Sequence, residues 1–436
     1  MKMARGVALC VMGLLLPLVS FASDNGWPDA LVHGPVGSRI TVSSLPEQQK
    51  APAVAYNAER QEFVVVWWND RPGNDDVYAQ RADRSGQPVG PWFAVAWGEG
   101  TEQHSPDVAW NSRRDEYLVV WVRDDVIHAR RVAPTGQLLG SELMVNSATR
   151  YASSDPALAY ASTSDTYLVV WVYQHVGGGV IQHSSVVGRL VSSDGQPQGG
   201  QFYISQDTQG NGRFAPELAY NRSRNEHLVV WMQWDMFAAH DDVRARRVTG
   251  NGDLLFPESI GIATGPEDQF TPGVAAIATN PADGGRYLVT WVQQAAQNQV
   301  LAQRLDADAN PRGGALLLGL ADPFDYGPAM AYGNEQADSY VAAWRVTYSQ
   351  PYFGREVHAR EITLNGDLAS GEEVLEGSGS DWPDVAAGDG STFLIVYQEQ
   401  ANGNKDIWGQ LWVQQGPAPP PGAYRVYLPA IKRNAP

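Results

Sequence analysis

The sequence predicts an all-β fold, a seven-bladed β-propeller with four antiparallel strands per blade, on three observations. A phrase close to Pro-x-Val-Ala-Tyr-Asn returns seven times, starting at Pro52, Pro106, Pro156, Pro216, Pro272, Pro328 and Pro383. Each copy leads through a polar turn into a β-rich run that ends in an aromatic residue, at Trp67, Trp121, Trp171, Trp231, Trp291, Trp344 and Tyr397. The copies recur every 50 to 60 residues with only strand signals between them. Units of that length cannot each bury a core alone. They stack, and one large ring replaces the two or three domains that a chain of 436 residues would otherwise suggest.

Taken in order, the chain begins with Lys2 and Arg5, an apolar run from Val7 to Val19, and small residues around Ala22. This reads as a signal peptide over residues 1–22, cleaved near Ala22, and its apolar run is too short to favour a membrane anchor. The only cysteine, Cys10, lies inside it, and Leu9 stands where a lipoprotein signal needs a small residue. The mature chain is therefore expected to be secreted or held at the cell surface. It has no transmembrane segment and no disulfides, so packing alone must stabilise it. Losing Lys2 and Arg5 takes the formal charge from −17 to −19, which excludes nucleic acid as a main partner and favours solubility.

Residues 23–35 form a short extension, and Val36 to Val42 then reads like the fourth strand of a blade, Gly140 to Val145. Blade 2 shows the plan. Pro106 to Asn111 and Glu116 to Trp121 form a hairpin, followed by Ile127 to Val132 and Gly140 to Val145. The last unit supplies Pro383 to Ala387, Thr392 to Tyr397 and Ile407 to Val413, and lacks a fourth strand. The N-terminal strand is expected to complete it, closing the ring over residues 36–415 and removing the exposed edges of an open array. A Pro-rich linker at 416–423 and a tail at 424–436 follow.

Residues that repeat have scaffold explanations. The tryptophans are expected to pack between blades. Arg81, Arg131, Arg189, Arg247 and Arg304 recur at one position of the third strand, so they point radially and are expected to form ion pairs. Gly86, Gly136, Gly195, Gly252 and Gly366 fall in the turn after that strand, where glycine takes a left-handed backbone most cheaply.

Function is sought where the copies differ. The distance from Pro to Trp is 15 residues in each of the first four blades, whereas the step from the aromatic to the third strand runs 12, 8, 16, 14, 11, 15 and 12. The variable loops between strands two and three share a face with the blade-to-blade connections, around one mouth of the channel. Ligand-binding candidates on that face are Trp68, Asp70, His104, Asp124, His175, Trp234, Asp235, Phe237, His240, Tyr326, Tyr352, Phe353 and Trp382. Aromatic rings stack on apolar sugar faces while carboxylates accept hydroxyl hydrogen bonds, which points to a carbohydrate or a surface protein as ligand.

Catalytic signatures are sparse. There is no His-Glu-x-x-His, Gly-x-Ser-x-Gly elbow or phosphate loop. Asp306 to Asn310 resembles the start of a calcium loop but lacks its glycine and distal glutamate, so it is read as a turn. No cofactor is expected, with calcium the one exception left open. Asp70, Asp124, Asp235, Asp325 and Asp384 are acid candidates for a glycoside hydrolase, although the sequence selects no pair.

The Leu-Val-Val-Trp and Ala-x-Arg signatures of the blades resemble repeats in secreted bacterial propeller proteins, over roughly residues 36–414, and that resemblance implies a fold more than an activity. Tyr424 to Arg433 resembles the Tyr-Leu-Pro tails of some exported bacterial proteins, which implies sorting or surface retention. Similarity to sialidases is confined to architecture. Only Asp389 to Phe393 approaches their Asp-box, and no arginine triad is evident. The expected function is non-catalytic binding, as a monomer, through the variable loop face. A carbohydrate-active enzyme using carboxylates at the same mouth and an extracellular scaffold protein are the alternatives.

Overall fold

The computed structural model describes residues 33–71, 74–146, 152–177, 180–206, 212–235, 240–277, 285–321, 327–333, 338–348, 354–375, 379–401 and 403–414. The signal peptide, linker and tail read from the sequence lie outside these residues, as do Phe237, Tyr326, Tyr352 and Phe353. Among the described residues no helix is long and apolar enough to cross a membrane.

Seven four-stranded antiparallel sheets follow one another along the chain. In blade 2 the strands are Gln103–Asn111, Glu116–Arg123, Val126–Val132 and Leu138–Met144, hydrogen-bonded in that order. The last blade closes as the sequence predicts. Strand His33–Ser43 pairs antiparallel with Asn404–Gln414, with Ile40 opposite Gly409 and His33 opposite Gln414. This strand begins three residues earlier than the pattern of alternating residues suggested. The extra strand residues are anchored where His33 Nδ1 meets Glu361 of blade 6 at 3.1 Å.

The second strand of each blade is covered on both faces, which explains its continuous apolar run: Phe63 to Trp67 and Leu118 to Val122 are all essentially inaccessible. The core is accordingly seven slabs, one between each pair of adjacent blades. Trp121 packs on Val64, Val66, Val77 and Val95 of blade 1, and Trp171 packs in the same way on blade 2.

The asparagine that ends the repeated phrase has two tasks. Asn57 Oδ1 accepts from the amides of Glu59 and Arg60 at 3.0 Å each, fixing the turn, while Nδ2 reaches Asp115 of blade 2 at 2.6 Å. Asn221 likewise caps its turn and donates to the Tyr287 hydroxyl of blade 5 at 3.2 Å. The radial arginines mostly pair with the glutamate that opens the second strand: Arg81 with Glu62 at 2.6 Å, Arg131 with Glu116 at 2.7 Å and Arg247 with Glu226 at 3.2 Å. Arg189 departs from the expected series: Leu190 takes the arginine's place opposite Leu168, and Arg189 stands opposite Val169, as Arg130 and Arg246 stand opposite Val119 and Val229, so like them it donates to a carbonyl of the preceding blade, that of Val145, and also to that of Gly199. The five turn glycines all have φ between 78° and 89°, as expected.

Candidate functional site

Each inner strand enters the channel through a kink at the repeated proline. The residue before that proline has a left-handed backbone in six blades: Ala51, Ser105, Asp155, Ala215, Thr271 and Trp382, with φ from 42° to 52°. Strand pairing slips there in the same six blades. A bulge of this kind bends the strand and re-aims the residues that follow. The residue after the proline is Ala53, Asp107, Ala157, Glu217, Gly273, Ala329 and Asp384 in turn, so three carboxyl groups stand among small neighbours. They belong to blades 2, 4 and 7, yet the charges of Asp107 and Asp384 both act on Glu217, and that of Asp384 acts on Asp107. Groups on such distant blades can influence each other in this way only across a shared lumen.

Two of the three are clamped. Asp107 accepts from its neighbour Val108 at 2.7 Å and from Leu158 of blade 3 at 2.9 Å. Asp384 accepts from Val54 of blade 1 at 2.7 Å and from the Val385 amide. Each therefore ties its blade to the next. Glu217 makes no hydrogen bond to a described residue. Its side chain is open to channel water but walled by protein on all sides, and an enclosed pool of water solvates a charge less well than bulk water. Burial, reinforced by Asp107, Asp384 and Asp155, accordingly raises its pKa well above the usual carboxylate range. Burial also pushes Asp107 up to about 7, with a contribution from Asp384, and pushes Asp384 up to about 6, against their backbone hydrogen bonds. The lumen thus holds Glu217, its pKa raised by burial and by the neighbouring acids, beside two carboxyls pushed up to about 7 and about 6.

Asp155, at the kink of blade 3, joins this group from the rim, and burial raises its pKa. It interacts with His104, whose own pKa is lowered by burial. His104 Nδ1 lies 3.1 Å from the Ser105 hydroxyl.

The residues expected from the sequence to bind ligand divide into local groups. Trp68, Asp70 and His104 come together between blades 1 and 2: Lys50 pairs with Asp70 and lies 5.0 Å from the centre of the Trp68 ring, which packs 6.0 Å from His104. His175 stacks on His183 at 4.7 Å within blade 3. In blade 4, Trp234 is 38% exposed, Asp235 pairs through its backbone with His240, and the His240 ring sits 3.3 Å from Asp242. Beside them burial and Asp268 push Asp241 up to about 6. Asp124 is a left-handed turn residue next to Arg123, and Trp382 donates its amide to Asp381 at 3.0 Å. Trp97, in the connection from blade 1 to blade 2, is 54% exposed on this face.

Asp107, Glu217 and Asp155 were not singled out by the sequence. Asp384 was, as a candidate acid, and the structure supplies the companions that the sequence did not. Asp306 serves a turn, accepting from the amides of Asp308 at 3.0 Å and Asn310 at 2.9 Å. No group of three His, Cys, Asp or Glu side chains among the described residues is placed to hold a metal ion.

No protein-family model matches the chain, and no curated protein sequence is detectably similar to it. Solved structures match by fold. A protein of unknown function from Dyadobacter fermentans superposes with a TM-score of 0.50 at 11% identity, over 88% of this chain and 99% of its own. A Hadza microbial sialidase gives a TM-score of 0.50 at 11% identity, over 78% of this chain and 73% of its own. At these identities the likeness extends to the propeller and no further.

Proposed function

We propose that this is an exported binding protein whose propeller recognises a neutral or amino-bearing glycan at the carboxyl-lined mouth of its channel. The observation that carries the reading is the unequal state of the three lumen acids. Asp107 and Asp384 are committed to interblade hydrogen bonds, which leaves Glu217 as the one unclamped carboxyl. Its raised pKa favours the protonated form, which can both donate to and accept from sugar hydroxyls. Trp97 and Trp234 offer exposed rings on the same face for stacking. Anionic sugars fit poorly. The rim arginines Arg345 and Arg355 are both held by Asp381, at 2.9 and 3.1 Å, and the lumen itself carries carboxyls.

A second reading rests on the same Glu217. A protonated carboxyl facing ionisable partners is also the arrangement of a glycoside hydrolase, with Glu217 as general acid. One experiment separates the two. Mature protein is screened on a glycan array, and the glycan retained is then incubated with it and analysed for new reducing ends. Binding without cleavage, weakened at least tenfold by Glu217→Gln, is the expected result. New reducing ends that vanish in the same variant would replace the binding reading with the enzymatic one.

A further inference from the structure

Lys50 and Lys405 are the only lysines between residues 36 and 415, and the fold brings them within electrostatic reach of each other. Lys405 lies near the start of the third strand of blade 7, opposite Gln400, and Lys50 lies on the inner strand of blade 1, opposite Trp68. The hairpin that carries Lys405 is fastened to blade 1. Asn404 Nδ2 donates to the Pro46 carbonyl at 2.6 Å, and Gln48 Nε2 donates to the Gly403 carbonyl at 3.2 Å. Arg355, at the start of the third strand of blade 6, acts on Lys405 from the other side. Three blades thus contribute cations to one place on the variable loop face.

The acids there are already taken. Asp70 pairs with Lys50, whose ammonium also lies 5.0 Å from the centre of the Trp68 ring. Asp381 meets Arg345 at 2.9 Å through one carboxylate oxygen and Arg355 at 3.1 Å through the other, and it also accepts the Trp382 amide. These two carboxylates are the acids that act on Lys405, which itself makes no hydrogen bond or ion pair with a described residue. Four cations therefore share two carboxylates, in a chain of formal charge −17. Lys405 is the surplus one. Burial lowers the pKa of its amine below the ordinary lysine value, against the pull of Asp381 and Asp70, and Lys50 and Arg355 add to the fall. A half-buried amine beside another cation and without an acceptor gives up its proton more readily than a solvated lysine, and it then presents a free lone pair.

We propose that Lys405 is a nucleophilic amine site that condenses reversibly with an aldehyde, either a small free one or the open-chain form of a reducing sugar. The unprotonated Nζ adds to the aldehyde carbon and a C–N bond forms. Both amine protons pass to the carbonyl oxygen, which leaves as water, and an imine remains. The step needs no oxidant or reductant. Lys50 does not compete for this role, because Asp70 holds it as the ammonium ion. The site is independent of the Glu217 reading: an imine at Lys405 needs no glycan over the lumen, and a glycan bound there needs no imine.

Reductive trapping tests this. The mature protein is incubated near neutral pH with sodium cyanoborohydride and either glycolaldehyde or xylose, and the modification of each lysine is followed by peptide mass spectrometry. Comparing the two separates a small aldehyde from a reducing sugar. With at least one of them, Lys405 should be labelled about threefold or more faster than Lys50 and Lys432. Lys50→Gln frees Asp70 to hold the Lys405 ammonium and removes a like charge, so it should slow Lys405 labelling about threefold or more. An unchanged melting temperature shows that variant to be folded. A smaller advantage for Lys405 with both aldehydes, or a smaller slowing in Lys50→Gln, would overturn the proposal.

Discussion

Replacing Asp107 by asparagine tests the lumen chemistry through stability alone. Asparagine keeps one oxygen that can accept from the Leu158 amide; it loses the acceptor for the Val108 amide, a cost that does not change with pH, so the pH dependence alone reports the titration. In the folded protein the Asp107 carboxyl holds its proton up to about pH 7, whereas its ordinary value is 3.8. Between those values the unfolded chain binds fewer protons than the folded one, so stability falls as pH rises through this window. About three pH units at roughly 1.36 kcal/mol each give about 4 kcal/mol lost between pH 4 and 8 on account of this one group. Asp384, pushed up to about 6, tilts the curve the same way. Urea unfolding followed by tryptophan fluorescence at pH 5, 6, 7 and 8 is the assay. Wild type should weaken steadily with pH, and the stability difference between Asp107→Asn and wild type should move in the variant's favour by about 3 kcal/mol between pH 5 and 8. Parallel curves for the two proteins would refute the claim that Asp107 is protonated by its surroundings.

Other expectations follow from packing. Trp121→Ala empties the slab between blades 1 and 2, where the ring is fully buried, and should cost about 3–5 kcal/mol in the same assay. Gly273→Ala would bring a methyl group to 2.1 Å from the carbonyl oxygen of Pro328, so the backbone must move. A loss of roughly 1–3 kcal/mol is expected from denaturant melts. Deleting His33–Ser43 leaves Asn404–Gln414 as an open edge and uncovers Ile40 and Val42's partners in the slab between blades 7 and 1. A lower melting temperature and concentration-dependent association by light scattering should follow.

The ring, its closure by the N-terminal strand, the interblade tryptophans and most of the radial ion pairs could be read from the sequence because each is repeated. Repetition turns one ambiguous strand into seven concordant ones. The candidate site was less legible for the same reason. Asp107, Glu217 and Asp384 sit inside the repeated phrase, at its most variable letter, and a phrase identified as scaffold drew attention away to the loops. Comparing that letter across the blades would have exposed three acids among alanines and a glycine. What no such comparison shows is direction. The left-handed residue before six of the seven prolines, which re-aims the side chains that follow, is a backbone feature carried here by alanine, serine, aspartate, threonine and tryptophan alike.

The central claim, a glycan bound over Glu217, is tested most directly by a crystal structure of the mature protein with the glycan that an array identifies. The account predicts an intact sugar at the channel mouth, hydrogen-bonded to Glu217 and within stacking distance of Trp97 or Trp234. A sugar seated elsewhere on the ring, or cleavage products at the mouth, would contradict it.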